Sequence, residues 1–420
     1  MQGKSLTGGE MVLINMIVWN DFRNDARVLK EAETLQTAGY KVTVYALHTP
    51  NVTQEHEILP GNVQVIRVAR SPLWKRRKKH QTASRTSPNK KRAYGPVTKP
   101  TLKAKRLRLV ARIWTHSIFL YQLIRSKPDV IHSHDVNTLP TAWLASIIAR
   151  VPLVYDAHEM STDREGYRSF RDLVGWVEKK LMPRAAATIT TTDMRADFFA
   201  LAYNVPRPLV LQNRSRLTHV PKSDKIRQEL GLEKNWPIIL YQGGLQQGRG
   251  LERIIDAAEI VENAYFVFIG AGRLEPQLKE QVQRLQLKKK VYFLGKASLN
   301  DLPHYTASAC VGVQAIENTC LNHFTTDSNK IFEYMMAGLP IVATNLPEIR
   351  KIVLTHNLGL LVQDKSTKEL SRSIQSLVDS PELRQKFSKN AIAARSVMCW
   401  ENQEQSLINM YKRILDPAVI

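Results

Sequence analysis

Five short segments of this chain concentrate the residue types that do chemistry. In TTDSNKIFEYMMAGLPIVAT, Thr325 to Thr344, Asn329, Lys330 and Glu333 stand at helical spacing near a helix start, so Lys330 and Glu333 share a face. A carboxylate there accepts two vicinal hydroxyls, as a ribose presents, and a lysine offsets phosphate charge. The plain alternative is an i,i+3 salt bridge on a solvated face; the position after a strand, among polar residues, favours binding. In YQGGLQQGRGL, Tyr241 to Leu251, the glycines Gly243, Gly244, Gly248 and Gly250 let backbone approach a ligand, and the following helix offers free N–H groups to an anion. Arg249 adds a fork of donors suited to a diphosphate. A glycine-rich turn with a surface arginine fits that segment equally well. IGAG, Ile269 to Gly272, carries Gly270 and Gly272 and on its own reads as a tight turn. IHSHDVNTLP, Ile131 to Pro140, brings His132, His134 and Asp135, which can bind a metal, move a proton or bond sugar hydroxyls. Strand alternation turns His132 inward as a core residue and leaves His134 and Asp135 in the loop. DAHEM adds His158 and Glu159 after the next strand. These histidines lack an HExxH-type frame, so a metal site is the minor reading.

The elements that must position these residues alternate. Met11–Trp19, Lys41–Leu47, Val63–Val68, Asp129–His132, Leu153–Tyr155 and Thr188–Thr191 read as strands. Between them, Asp25–Ala38 has apolar residues at Ala26, Leu29, Ala32 and Leu35, and Asn137–Ala149 and Arg168–Leu181 are helical. The second half repeats the theme. Strands are expected at Ile238–Tyr241, Tyr265–Ile269, Val291–Leu294, Val311–Val313 and Ile341–Ala343, and helices at Leu251–Val261, Glu275–Leu285, Leu299–Tyr305 and Asn329–Ala337. Such alternation builds parallel sheets covered on both faces, with ligands outside the carboxyl ends of the strands. The chain of 420 residues accommodates two such α/β domains. The boundary falls near Asn213–Lys225, a polar stretch, and a last helix covers Trp400–Ile414.

Charge is local. Lys and Arg number 60 against 38 acids, but Ile58–Pro128 holds 19 of those bases and no acid, which leaves a near-neutral body and excludes a uniformly basic, histone-like chain. Ser71–Lys105, with WKRRKKH and PNKKR, has no hydrophobic periodicity and reads as a long mobile loop. It leads into Leu107–Ile124, expected as an amphipathic helix with a basic beginning and an aromatic end (Trp114, Phe119, Tyr121). Residues 71–124 therefore suit an anionic membrane surface, with a merely solvated basic loop as the plain alternative; aromatic interleaving for base stacking is lacking, so nucleic acid is not an expected partner. Three cysteines, Cys310, Cys320 and Cys399, fit no metal spacing or disulfide framework and suit a reducing cytosol. No apolar run approaches the roughly 18–20 residues that span a bilayer, and the start of the chain does not read as a signal segment.

Taken in order, NDARVLKEAETLQTAGYKVTVYA, DVIHSHDVNTLP, YQGGLQQGRGLERIIDAA, FIGAG, SNKIFEYMMAGLPIVAT and SVMCWENQEQSLINMYKRIL resemble the retaining group-1 (family 4) glycosyltransferases, over nearly the whole chain. NKIFEYMMAGLP is the most specific stretch. The resemblance implies the GT-B architecture, two Rossmann-like doubly wound domains facing across a cleft. It implies an acceptor-binding domain over residues 1–213, with the basic insertion at about 71–105. A nucleotide-sugar-binding domain over 214–398 and a helix at 399–420 crossing back to the first domain would follow. By position, Glu333 would bind ribose hydroxyls, Arg249 would replace a diphosphate-binding lysine and His134 would face the transferred sugar. Lys330, Asn329, Gly243, Gly244, Gly270 and Gly272 would line the donor site, with Asp135 and His158 on the acceptor side. The implied activity is transfer of a hexosyl group from a nucleotide-diphospho-sugar to a lipid-linked or cell-surface polysaccharide, with retention, without metal or other cofactor. The implied location is cytoplasmic, peripheral on the inner face of the membrane. Two positions depart from the family pattern: Gly244 stands where an arginine is usual, and Thr325 where a first glutamate is common. A catalytically impaired nucleotide-sugar-binding protein of the same fold is the alternative; epimerase and phosphorylase readings fit the NKIFEY segment less well.

Overall fold

The computed structural model describes residues 11–70 and 101–416. The chain divides into two compact units. One takes the residues up to Thr191, Arg195–Leu211 and the tail from Glu404; the other takes Thr192–Met194 and Gln212–Gln403. Among the described residues no helix is long and apolar enough to cross a membrane, and no disulfide joins the three cysteines.

The first unit is built on an eight-stranded sheet in the order β3-β4-β2-β1-β5-β6-β7-β8. Its strands are β1 (Leu13–Ile17), β2 (Lys41–His48), β3 (His56–Ile58), β4 (Gln64–Ala69), β5 (Val130–His134), β6 (Leu153–Ala157), β7 (Ala187–Thr190) and β8 (Leu209–Val210). All neighbours are parallel except β3, which returns antiparallel on β4. The helices are α1 (Ala26–Thr37), α2 (Leu102–Arg125), α3 (Leu139–Ala149), α4 (Arg171–Leu181) and α5 (Asp193–Tyr203), which starts within the other unit's short segment. The expected strands are all present. β5 and β6 run two residues further than the apolar pattern suggested, because Ser133, His134 and Asp156 near their ends are polar yet buried.

Two helices differ from expectation. In α1, capped by the Asp25 carboxylate accepting from the Val28 N–H, the buried face holds Arg27, Val28, Glu31, Ala32 and Leu35. Ala26 is exposed and Leu29 half-buried. Apolar spacing misplaces that face because three charged residues, Arg27, Lys30 and Glu31, are buried on it. α2 begins at Leu102, capped by Thr101, so the loop reading of residues 71–105 is corrected at its last four positions; its remainder, to residue 100, lies outside the described residues. α2 is also not amphipathic in the expected sense. Thr115, Phe119 and Leu123 are buried, while Leu107, Val110, Trp114 and Tyr121 are exposed. At 100° per residue these sets point to opposite sides, so the helix is apolar on both.

The second unit holds a six-stranded, all-parallel sheet in the order β11-β10-β9-β12-β13-β14. Its strands are β9 (Ile238–Gln242), β10 (Tyr265–Ile269), β11 (Val291–Gly295), β12 (Val311–Gln314), β13 (Ile341–Thr344) and β14 (Gly359–Val362). Its helices are α6 (Lys225–Leu230), α7 (Leu251–Ile260), α8 (Glu275–Arg284), α9 (Leu302–Ala307), α10 (Leu321–Phe324), α11 (Asn329–Met336), α12 (Pro347–Thr355), α13 (Thr367–Asp379) and α14 (Pro381–Arg395). Two apolar cores, one on each face of the sheet, bury residues such as Leu251, Ile255 and Phe268 on one side and Ile331, Met335 and Ile341 on the other. The final helix, α15 (Glu401–Leu415), lies for most of its length in the first unit. There the Thr34 hydroxyl donates to the Glu404 carboxylate at 2.9 Å, and buried Tyr411 meets His132 Nδ1 at 2.8 Å.

Candidate functional site

Each sheet reverses strand order once, between β1 and β5 in the first unit and between β9 and β12 in the second. These are the switch points outside which doubly wound sheets bind ligands. The residues singled out above cluster at both.

In the second unit, β9 ends on buried Gln242 and the chain passes into the glycine loop. That loop is joined to the turn after β10. The Gly243 N–H donates to the Ile269 carbonyl at 2.8 Å and the Leu245 N–H to the Ala271 carbonyl at 3.2 Å. A Cβ at Gly270 would lie 1.9 Å from the Gly243 carbonyl oxygen, and one at Gly272 would lie 1.9 Å from that of Leu245. Gly270 and Gly272 are thus required by backbone meeting backbone. Gly250, at φ +66, precedes α7 and would bring a Cβ to 2.0 Å from the Ala315 carbonyl oxygen. Gly244 differs: its nearest neighbour is the flexible Gln246 side chain at 3.7 Å, in ordinary contact.

Lys330, in the first turn of α11, extends along Gly243, with its Nζ 5.3 Å from the Tyr241 ring centroid. Burial, then the neighbouring Arg249 guanidinium, lower its pKa to about 8 against the pull of Glu333. Arg249 and Lys330 therefore form a pair of cations beside a glycine loop and the start of α7. Glu333 accepts a hydrogen bond from the Gln242 side-chain amide. Gln242 in turn accepts from the Thr306 hydroxyl at 2.8 Å. Gln242 is a positioning residue that the motif reading did not single out; a polar residue closing the apolar strand IILYQ was the available signal. Asn329 is exposed at the helix start. Before it, Ser328 has φ +48 and ψ 118, an uncommon backbone for a residue with a side chain. Its hydroxyl accepts from Gln314 Nε2 at 2.5 Å. The Thr325 hydroxyl donates to the Leu321 carbonyl at 2.8 Å.

In the first unit, β5 and β6 deliver His132, His134, Asp156 and His158 to one edge. Asp156 is wholly buried. It accepts two hydrogen bonds from Arg27, Nε at 2.8 Å and Nη2 at 2.9 Å, and its Oδ2 lies 3.0 Å from His158 Nε2. His134 Nδ1 is 3.3 Å from His158 Nε2 and 3.5 Å from Asp156. Asp135, at φ +62, receives Arg164 at 3.2 Å and stands 3.9 Å from His158 Nδ1. Burial disfavours charge on His158, but Asp156 and then Asp135 outweigh it and raise the pKa to about 10. Burial raises and Arg27 and His158 lower the Asp156 pKa, with a net shift well down. His132 and His134 are held neutral, chiefly by burial. His134 is 2 % exposed and His158 is 19 % exposed, so His158 is the ring that reaches the surface. Glu159 also lies at the edge, 3.4 Å from Arg164.

Glu31, His132, His134 and Asp156 each offer a ligand atom within 4.8 Å of the others, a separation that admits a metal ion. Arg27 Nε, however, lies 3.2 Å from Glu31 as well as on Asp156. Burial, then Asp156, holds the Glu31 carboxyl well above the usual carboxylate range, and Arg27 and His158 already stand beside Asp156, so a divalent ion would add to their positive charge. Arg27 and Glu31 were missed from sequence, since nothing local marks a helical charge as buried.

Two family descriptions match the chain: "Glycosyl transferases group 1" over residues 222–394 and "Glycosyl transferase 4-like domain" over 25–213. The chain belongs to the group-1 glycosyltransferases. The alpha-D-kanosaminyltransferase of Streptomyces kanamyceticus is 24 % identical over 284 residues, 62 % of this chain and 71 % of that protein. Among solved structures, sucrose-phosphate synthase from Thermosynechococcus elongatus superposes with a TM-score of 0.74 at 16 % identity, over 96 % of this chain and 99 % of that one. HepE from Anabaena, in complex with UDP-glucose, gives 0.71 at 18 % identity, over 95 % and 99 %. The fold of this glycosyltransferase is GT-B, with two Rossmann-like units. In this glycosyltransferase the position of the usual glycine-loop arginine, Gly244, is sterically open.

Proposed function

We propose that this glycosyltransferase moves a hexosyl group from a nucleotide-diphospho-sugar to a lipid-linked or cell-surface polysaccharide acceptor, with retention of configuration. The observation that carries the donor reading is the pair Arg249 and Lys330 set beside the glycine loop, with Glu333 oriented by Gln242. Two cations and helix N–H groups suit a departing diphosphate, and an oriented carboxylate suits ribose hydroxyls. HepE, bound to UDP-glucose in its structure, supports a nucleotide-sugar as donor. In this reading the acceptor hydroxyl attacks from the leaving-group side through an oxocarbenium-like state, and a β-phosphate oxygen takes its proton. The chain supplies position and charge. His134, Asp135 and His158 face the acceptor side. Transfer without metal is part of this reading, supported by Arg249 and Lys330 as the charges that would meet phosphate and by the Arg27 and His158 contacts that already occupy Asp156. Residues 71–124 hold the enzyme on an anionic membrane at the cytoplasmic face.

The test is nucleotide-dependent thermal stabilisation with UDP, GDP, ADP and CMP, followed by turnover with the sugar nucleotides of whichever base binds. One nucleotide is expected to raise the unfolding midpoint, and Arg249→Ala or Glu333→Ala to remove most turnover with the fold intact. Stabilisation by none, or wild-type rates in both variants, sinks the donor site. Binding without turnover supports instead a catalytically impaired protein, the reading that Gly244 and Thr325 favour. The anomeric configuration of the product, read by NMR, decides retention.

A further inference from the structure

The steps β4→β5, β5→β6 and β6→β7 all move the same way across the first sheet. With right-handed crossovers, α2, α3 and α4 therefore share one face of it. They pack in that order. His116 of α2 meets the Thr141 hydroxyl of α3 at 2.7 Å, and Arg112 donates to Asn137 at 2.7 Å. Arg184, just beyond α4, stacks over Trp143 of α3 with 6.0 Å to the ring centroid.

This layer is apolar on its outer side. Of the 23 large apolar side chains exposed among the described residues, 12 lie on these three helices and the cap of α4. On α2 the exposed stripe is opposite the packed one. On α3, Leu144, Ile147 and Ile148 stand at i, i+3 and i+4, away from buried Ala142 and Ala145. On α4, Leu173 and Trp176 are about 60 % exposed. Bases accompany them throughout: Arg106, Arg108 and Arg112 on α2, Arg150 at the end of α3, and Arg171, Lys179 and Lys180 on α4. α2 and α3 contain no acid; of the two acids of α4, Glu178 is buried and Asp172 alone is exposed.

We infer that α2, α3 and α4 together form the platform by which this unit lies on an anionic bilayer, so that the membrane contact proposed for residues 71–124 extends over two further helices. The inference rests on that membrane reading and deepens it. Exposed aliphatic and aromatic side chains ringed by Lys and Arg suit the headgroup boundary, where apolar area and anionic lipid act together. A second copy of the chain fits worse, because a two-fold contact would set this cationic face against itself.

The experiment is vesicle flotation of the full chain, with phosphatidylcholine alone and with equimolar phosphatidylcholine and phosphatidylglycerol. Wild type is expected to float with the anionic vesicles only. Ile147→Ser, Ile148→Ser, Leu173→Ser and Trp176→Ser combined should weaken that binding at least about tenfold. Leu173→Phe with Trp176→Phe should restore it. Replacing the bases of 71–100 by Ser should weaken binding but leave the remainder sensitive to the α3–α4 substitutions. Unchanged binding in the four-fold Ser variant overturns the platform, as does a wild-type dimer that those substitutions dissociate. Nucleotide stabilisation and transfer to a water-soluble acceptor, measured on the same variants, should not move. Their loss in wild type would count against the transferase reading alone, and the flotation result would stand.

Discussion

At single residues, the glycines separate into two kinds. Gly270 and Gly272 leave no room for a Cβ because carbonyl oxygens occupy it, whereas Gly244 has room. Gly270→Ala or Gly272→Ala is expected to cost about 3 kcal/mol or more, since backbone must shift; Gly244→Ala should be nearly neutral. Denaturant unfolding of the three variants checks this, and equal costs would refute it. Lys330 gives a second prediction. Its pKa of about 8 should rise when a diphosphate arrives, so binding takes up a proton. Affinity should be greatest below pH 8 and fall as pH rises past it. Calorimetry in buffers of different ionisation enthalpy reads the uptake, and Lys330→Met should abolish it. Both residues were visible in the sequence, but the reason for the two IGAG glycines was not. The sequence places them where a ligand would come, and the structure shows another loop already there.

The strand ends and α1 act together. Arg27 reaches Asp156 across 129 residues of sequence, and each is buried by the other's element. Periodicity finds such a helix but rotates it wrongly, because a paired charge takes a place that apolar counting reserves for leucine. Most β-strands were readable, since their apolar runs are continuous in a parallel sheet; the edge strands β3, β8 and β14 were not. Asp156→Asn should destabilise the first unit by about 3–5 kcal/mol, leaving buried Arg27 with Glu31 and the Leu211 carbonyl. His158 should then lose its principal partner and titrate closer to about 6.5. In wild type the raised His158 pKa contributes stability that is complete below pH 6.5 and lost as pH rises through about 10. Imidazole NMR in both proteins measures the shift, and an unmoved His158 would show that Asp156 does not set it.

On the scale of the whole chain, the first unit is closed by residues from its last helix. Tyr411 bonds His132, and Leu407 and Tyr411 are wholly buried. Tyr411→Phe should cost about 1 kcal/mol. Truncation after Gln403 should cost several times more, since it uncovers apolar surface as well; comparable unfolding midpoints for the two would argue against this. The final helix was recognised from spacing, but its partner His132 was seen only as a core residue.

The two bonds that join the loop after β9 to the turn after β10 continue the sheet's ladder past its last strand residues. A loop fastened in this way has little freedom left to surrender. The amides of Gly243 and Leu245 should exchange with solvent as slowly as those of a strand, although neither belongs to one. If this loop receives the phosphates as proposed, association with a nucleotide should carry a small entropy loss from this segment, because its backbone is already ordered before they arrive.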